Sequence, residues 1–161
     1  MISDIVARRV LSVGALILTL VASAATAETI FGRTVVIDGD TIEIHARRIR
    51  ILDIDAPESR QLCMKPDGEQ WRCGQHAALS LYDWIGERMV VCETTNLDRY
   101  KRLLARCAVA GEDIAKWLAS NGWAVPYRDC KCEAIRDAAK LWRLGIWSSE
   151  FQMPWEWRKA Q

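Results

Sequence analysis

The chain carries no surplus of either charge: 22 Lys and Arg stand against 21 Asp and Glu, a formal net of +1 over 161 residues. A bulk positive field that would draw it to nucleic acid or an anionic membrane is excluded, so any anionic partner must be held by a few placed arginines. There is no internal repeat, no low-complexity tract and no linker to a second domain, which excludes solenoids and fibrous chains. An uninterrupted apolar run of the roughly 20 residues that span a bilayer is also missing. The longest apolar stretch, residues 10–25, is broken by Ser12, Gly14, Thr19 and Ser23.

With half its residues hydrophobic and 27% charged, the chain has the composition of one folded domain. Arg8 and Arg9 precede the apolar stretch, and Ala25-Thr26-Ala27 has the small-x-small form that a signal peptidase needs. Residues 1–27 therefore read as a cleaved signal peptide and 28–161 as a single domain. Cleavage would remove Arg8, Arg9 and Asp4, taking the remainder from +1 to neutral. The expected location is periplasmic or secreted, with no stable membrane association after cleavage.

All six cysteines lie after residue 27, and export favours disulfides over thiols. Cys92 and Cys107 sit symmetrically about Arg99 and Tyr100, as they would across a hairpin turning at 98–101. Cys63 with Cys73 would then close a short loop. Cys130 and Cys132 are too close in sequence for an easy mutual bridge, and are expected to stay reduced or pair elsewhere. A zinc site using Cys63, Cys73, His76 and a later cysteine is the competing reading, disfavoured by the leader.

Apolar residues recur every second position from Ile30 to Ile54, which predicts three strands. A turn at Ala46 and Arg47 would set Ile44 opposite Ile49, Ile42 opposite Ile51 and Glu43 opposite Arg50. At 75–88 the period becomes helical, with Ala77, Ala78, Leu81, Trp84 and Ile85 on one stripe. A second hairpin, 89–94 with 103–109, follows, then helices over 112–121 and 133–144 closed by Gly122 and Gly145. Five short strands with interspersed helices suit an α+β fold built on a closed or partly open barrel. The eight tryptophans are read as packing residues rather than as a base-stacking platform.

The first hairpin's open end gathers Asp38, Asp40, Asp53 and Asp55, with Glu58 just beyond Pro57. Strict alternation would point Asp40, Asp53 and Asp55 toward the core, where unpaired carboxylates repel and lose hydration. A cation must sit among them, and oxygen donors favour Ca²⁺ or Mg²⁺ over zinc. Arg50 and Arg102 stand nearby in sequence, and a guanidinium fork matches phosphate oxygens in a bidentate way. Arg50 and Asp55, five residues apart, would face opposite sides of an ideal strand, so a bulge or bend after Arg50 is needed.

Three motifs in order, Val36-Ile37-Asp38-Gly39-Asp40-Thr41, Arg50-Ile51-Leu52-Asp53-Ile54-Asp55-Ala56-Pro57-Glu58 and Asp98-Arg99-Tyr100-Lys101-Arg102, resemble the staphylococcal nuclease family. The resemblance runs from about Ile30 to Ile146-Trp147-Ser148. It implies a five-stranded OB-fold barrel with three helices, and Ca²⁺ held by Asp40, Asp55 and the carbonyl of Ala56. It implies further that Glu58 acts as water-orienting carboxylate or general base, that Arg50 and Arg102 stabilise the phosphorane, and that Arg99 and Tyr100 contact the nucleotide. The substrate would be single- or double-stranded DNA and RNA, cut to 3′-phosphate products by a monomer. Two positions depart from the pattern: Lys101 stands where glycine is common, and Asp53 where glycine or an aliphatic is usual. Two other readings are a non-catalytic nucleic-acid-binding OB module and a calcium-stabilised extracellular structural domain.

Overall fold

The computed structural model describes residues 28–127, 130 and 132–161; the leader expected over 1–27 lies outside them. The alternating isoleucines form a hairpin of β3 (Thr41–Ile44) and β4 (Arg47–Ile51), preceded by β1 (Thr29–Gly32) and β2 (Val35–Val36). After β5 (Ile54–Asp55), β6 (Cys63–Met64) and β7 (Gln70–Trp71) comes helix α1 (Cys73–Ile85). The long hairpin of β8 (Val90–Leu97) and β9 (Leu103–Val109) follows, then β10 (Glu112–Asp113) and α2 (Ile114–Ser120). Next are β11 (Val125–Pro126), α3 (Glu133–Leu141), a 3-10 turn (Gly145–Ser148) and α4 (Pro154–Lys159).

The main sheet has the order β1-β8-β9-β4-β3-β2, with β10 on β9. Its one parallel pairing is β4 with β9, among the described residues. Because β1 and β2 are neighbours in sequence yet stand at opposite ends of the sheet, the sheet curls into a half-barrel. The α+β class is as expected; the main sheet has seven strands among the described residues rather than five. Ile42, Ile44, Ile49 and Ile51 fill the curl, with Leu81 and Ile85 of α1 and Val90, Cys92, Ala105, Cys107 and Val109 of the second hairpin. Trp84 of α1 stacks on Trp117 of α2, ring centroids 4.4 Å apart, as packing residues should. Trp142, read with the other tryptophans as a packing residue, is instead exposed.

Several expectations need correction. The first hairpin turns at His45 and Ala46, not at Ala46 and Arg47. Both turn residues have positive φ, 51° and 59°, the two-residue turn whose twist matches a hairpin. The register becomes Ile42 opposite Ile49 and Glu43 opposite Arg48, with Arg50 opposite Thr41. A slip of two residues keeps each side chain on its expected face, but it separates Arg50 from Glu43. The helix expected at 75–88 starts earlier, at Cys73, and ends at Ile85 before Gly86. The helices expected at 112–121 and 133–144 are shorter too, because Asp113 caps α2 by accepting from the Lys116 amide at 2.9 Å and α3 ends at Leu141.

Cys92–Cys107 and Cys63–Cys73 are disulfides, as the spacing predicts. The latter removes the zinc reading. Cys130 and Cys132 stand side by side, with Cα atoms 5.2 Å apart. Around Cys63 and Cys73 a second small core forms, with Val125 and Ile146 buried and Trp71, Trp147, Phe151 and Trp155 packed on it. Sequence periodicity gave no sign of this layer or of α4. No helix among the described residues is long and apolar enough to cross a membrane.

Candidate active site

The centre of the site is the buried carboxylate pair Asp40 and Asp55. Asp40 stands at the entry to β3, where its amide donates to Asp38 Oδ1 at 3.0 Å, a side-chain turn that fixes the loop. Its Oδ1 accepts from Thr41 Oγ1 at 3.1 Å and its Oδ2 from the Ala56 amide at 3.1 Å. Asp55, fully buried in β5, faces it from the other segment. Gly39 lets these loops meet, since a Cβ there would stand 2.7 Å from that of Ala56.

Arg50 bridges the two. It ion-pairs with Asp40 Oδ1 and donates from Nη2 to Asp55 Oδ1 at 2.8 Å. Burial opposes its charge, yet the two carboxylates outweigh that and raise its pKa above the ordinary arginine value. The bend required after Arg50 is supplied by a turn at Leu52 and Asp53, with Asp53 at φ 68°. The same turn takes Asp53 out of the cluster. Its carboxylate points to β9, where Oδ2 accepts from Arg106 Nε at 3.0 Å.

Arg102 reaches the same place from the tip of the second hairpin. Its Nη1 donates to Thr41 Oγ1 at 3.2 Å and its Nε to Asp98 Oδ2 at 2.8 Å. Asp98 is pulled up by burial, but the Arg102 amide, the Arg102 guanidinium and the Tyr100 amide together hold its pKa below the ordinary value. Lys101, where glycine was noted as common, has φ 62°, and this left-handed residue lets the chain turn back to present Arg102. Arg99 and Tyr100 lie at the exposed tip, the Arg99 guanidinium 4.7 Å from the Tyr100 ring centre. Tyr100, Lys101 and Arg102 share a cleft of about 370 Å³ with Arg47 and Arg48. Glu43 lines the same cleft, where Arg47 is paired with Glu28, Arg48 with Glu43 and Arg102 with Asp98.

Glu58 sits on the loop after Pro57. The loop is fixed by Gln61, whose side chain is fully buried. Gln61 Oε1 accepts from the Glu58 amide at 3.3 Å, and Nε2 donates to the Gln152 carbonyl at 2.5 Å. Sequence reasoning missed Gln61, and it missed Arg158 of α4. Arg158 donates from Nη2 and Nη1 to the two oxygens of Asp55, at 2.7 and 3.0 Å, and from Nη1 to Glu58 Oε1 at 2.8 Å. Hydrogen bonds to Asp55 foremost, opposed by burial and helped by Glu58, raise its pKa. The cation demanded by the buried acids is therefore two guanidiniums here.

Among the described residues no group of three His, Cys, Asp or Glu forms a ready metal cage. The donor types nonetheless fit a hard divalent ion: two carboxylates from segments locked together by the bond between Ala56 and Asp40, with the Ala56 carbonyl on the same peptide segment. The expected carboxylates Asp40, Asp55 and Glu58 and the arginines Arg50 and Arg102 are linked in one network. Asp38 is adjacent to it, pushed up to about 6 by burial and by the Asp40 charge.

A family model described as staphylococcal nuclease homologue matches residues 48–149. Asp40 and Arg158 lie outside the matched span. The chain is 36% identical over 147 residues to the succinoglycan biosynthesis protein ExoI of Rhizobium meliloti (strain 1021), covering 86% of this chain and 76% of that protein. It is 31% identical over 166 residues to Protein ParB of Escherichia coli, covering 90% and 88%. To a micrococcal nuclease of Shigella flexneri it is 31% identical over 145 residues, covering 78% of each.

Proposed function

The chain belongs to the family of staphylococcal nuclease homologues, and on that premise we propose that it is an exported, Ca²⁺-dependent endonuclease that hydrolyses DNA and RNA to 3′-phosphate products. The observation that carries the reading is the shared anchorage of Arg50 and Arg102, one on Asp40 and the other on the neighbouring Thr41 hydroxyl. Two guanidiniums converging beside buried acids form a pocket for one phosphodiester.

Water attacks phosphorus in line, and the bond from phosphorus to the 5′-oxygen breaks. Glu58 orients the water and takes its proton, which then becomes available to the leaving alkoxide. Arg50 and Arg102 neutralise the charge that grows on the equatorial oxygens, a contribution of roughly a hundredfold or more in rate for one such donor. Asp40, Asp55 and the Ala56 carbonyl would hold Ca²⁺, which when bound supplies Lewis-acid stabilisation of the same charge. Arg99 and Tyr100 would contact the nucleotide beside the cleaved bond. The curled sheet corresponds to the family's five-stranded OB-type barrel if β1 and β2 are two halves of one bent strand. The leader-like residues 1–27 and the Cys63–Cys73 and Cys92–Cys107 disulfides support export, and the proposed state is a monomer in the periplasm or outside the cell.

Incubation of the mature protein with single-stranded DNA, with Ca²⁺ or with a chelator, should show fragments shortening only with the ion. Glu58→Gln should slow shortening by roughly 100-fold or more, to a small residual rate, with the melting temperature within a few degrees of wild type. Binding without shortening would establish the OB-module reading instead, and Ca²⁺-dependent stability without affinity for DNA would establish the structural-domain reading.

A further inference from the structure

Arg158 is bound to the two acids most important for the proposed chemistry, yet it comes from the last helix, outside the span the family model matches. Its planar fork takes both oxygens of Asp55 and one of Glu58. Of the two arginines on Asp55, Arg50 is the inner one, with a side chain 16% exposed, and Arg158 the outer, at 39%. Arg50 stands within the sheet. Arg158 stands on six residues of helix, anchored by buried Pro154 and by Trp155 against Tyr127, ring centres 5.6 Å apart.

We infer that Arg158 is a displaceable counter-ion: its guanidinium holds Asp55 and Glu58 together in the ion-free protein and competes with a divalent cation for the same oxygens. The inference rests on the proposal that Asp55 is a Ca²⁺ ligand. The oxygens support exchange rather than coexistence: Arg158 takes both oxygens of Asp55 and Oε1 of Glu58, while Arg50 takes Asp55 Oδ1 as well. With Arg158 withdrawn, Asp55 Oδ2, otherwise held at 2.7 Å, becomes available as a ligand. Withdrawal also releases Glu58, which is then free to accept from water. Arg158 is thus a positioning residue that sets the affinity of the site for its ion.

The test is Ca²⁺ titration by calorimetry of the whole mature, disulfide-bonded protein and its Arg158→Ala and Arg158→Gln variants, with melting temperatures measured in chelator and in saturating Ca²⁺. Both variants should bind Ca²⁺ roughly tenfold more tightly than wild type, the scale of one partly buried charge pair. In chelator both should melt below wild type, and saturating Ca²⁺ should close that gap. Unchanged or weaker Ca²⁺ binding in both variants, with wild type still binding the ion and cutting DNA, would overturn the competition and leave the nuclease reading standing. Failure of all three proteins to bind Ca²⁺, with DNA still cut in chelator, would overturn the competition and the calcium assignment together. Should alanine fail to fold, the glutamine variant, which keeps a hydrogen-bonding side chain without the charge, decides the question.

Discussion

One added methyl group tests whether Glu58 works from where it stands. A Cβ on Gly74 would lie 1.8 Å from the Glu58 carbonyl oxygen and 3.0 Å from that of Pro57. The loop must retreat by more than an ångström, and it is poorly placed to do so. The Glu58 carbonyl accepts from the Gln61 amide at 2.7 Å, Gln61 is tied to Gln152, and the Cys63–Cys73 bridge ends beside Gly74. Overpacking of this kind costs about 1–3 kcal/mol, while alanine in a helix recovers at most about 1 kcal/mol over glycine. Gly74→Ala should therefore lower the melting temperature by a few degrees. A displacement of about 1 Å at a proton-accepting group is worth on the order of 100-fold in rate, so DNA cleavage should fall far more than stability does. The assay is the initial rate on single-stranded DNA beside a thermal melt, repeated in a Glu58→Gln background, where the glycine substitution should cost almost nothing further. Full activity in Gly74→Ala with a lowered melting temperature would refute the placement of Glu58 as the base.

Lys101→Gly should raise the melting temperature by an amount equivalent to at most about 1 kcal/mol, because a lysine at φ 62° bears a left-handed penalty that glycine escapes; cleavage should persist, since the turn bond from the residue 101 amide to the Asp98 carbonyl, 3.0 Å, is main chain. Gln61→Leu should destabilise by about 1 kcal/mol in chemical denaturation, because it removes the side-chain partners of the Glu58 amide and the Gln152 carbonyl, both part-buried hydrogen bonds. Asp98, whose pKa is held below the ordinary carboxylate value, contributes stability that is present above its unfolded pKa and lost as pH falls through the lower folded one. Melting curves of wild type and Asp98→Asn should thus differ most above about pH 4 and converge below it; a constant gap at every pH would rule out the Arg102 pairing as its source.

The parts of the molecule that sequence made legible are those built from local periodicity. Alternating isoleucines revealed the first hairpin, and the symmetric cysteines revealed the second, because register and side-chain face follow from a period of two. Asp40 was legible from the same alternation, but Asp55 was not placed by it, because the turn at Leu52 and Asp53 interrupts the period before Asp55 is reached. Arg158 was not legible, because its partners lie about a hundred residues away and no period links them, and Gln61 was not, because the bond that ties its loop down runs to Gln152, 91 residues on. A weak signal for α4 did exist in Pro154-Trp155-Glu156-Trp157-Arg158-Lys159, with Pro and Glu in the first turn and two basic residues in the last. Six residues are too few for an apolar stripe to confirm it.

Asp53 shows why counting acids in sequence overestimates a site. Left-handed backbone is costly for a residue with a side chain, and it persists only where surrounding contacts over-determine it. Here they do: the Leu52 amide donates to the Ala105 carbonyl and the Tyr127 amide to the Asp53 carbonyl, both at 2.9 Å, and Arg106 holds the carboxylate from outside. The reversal at this residue carries Asp55 round to the side of Arg50, which an ideal strand would forbid. A glycine would turn as readily but could not bind β9. The acid that left the cluster is therefore the one that allows the remaining acids to meet their arginines, and its negative charge is spent on Arg106 so that it adds nothing to the repulsion between Asp40 and Asp55.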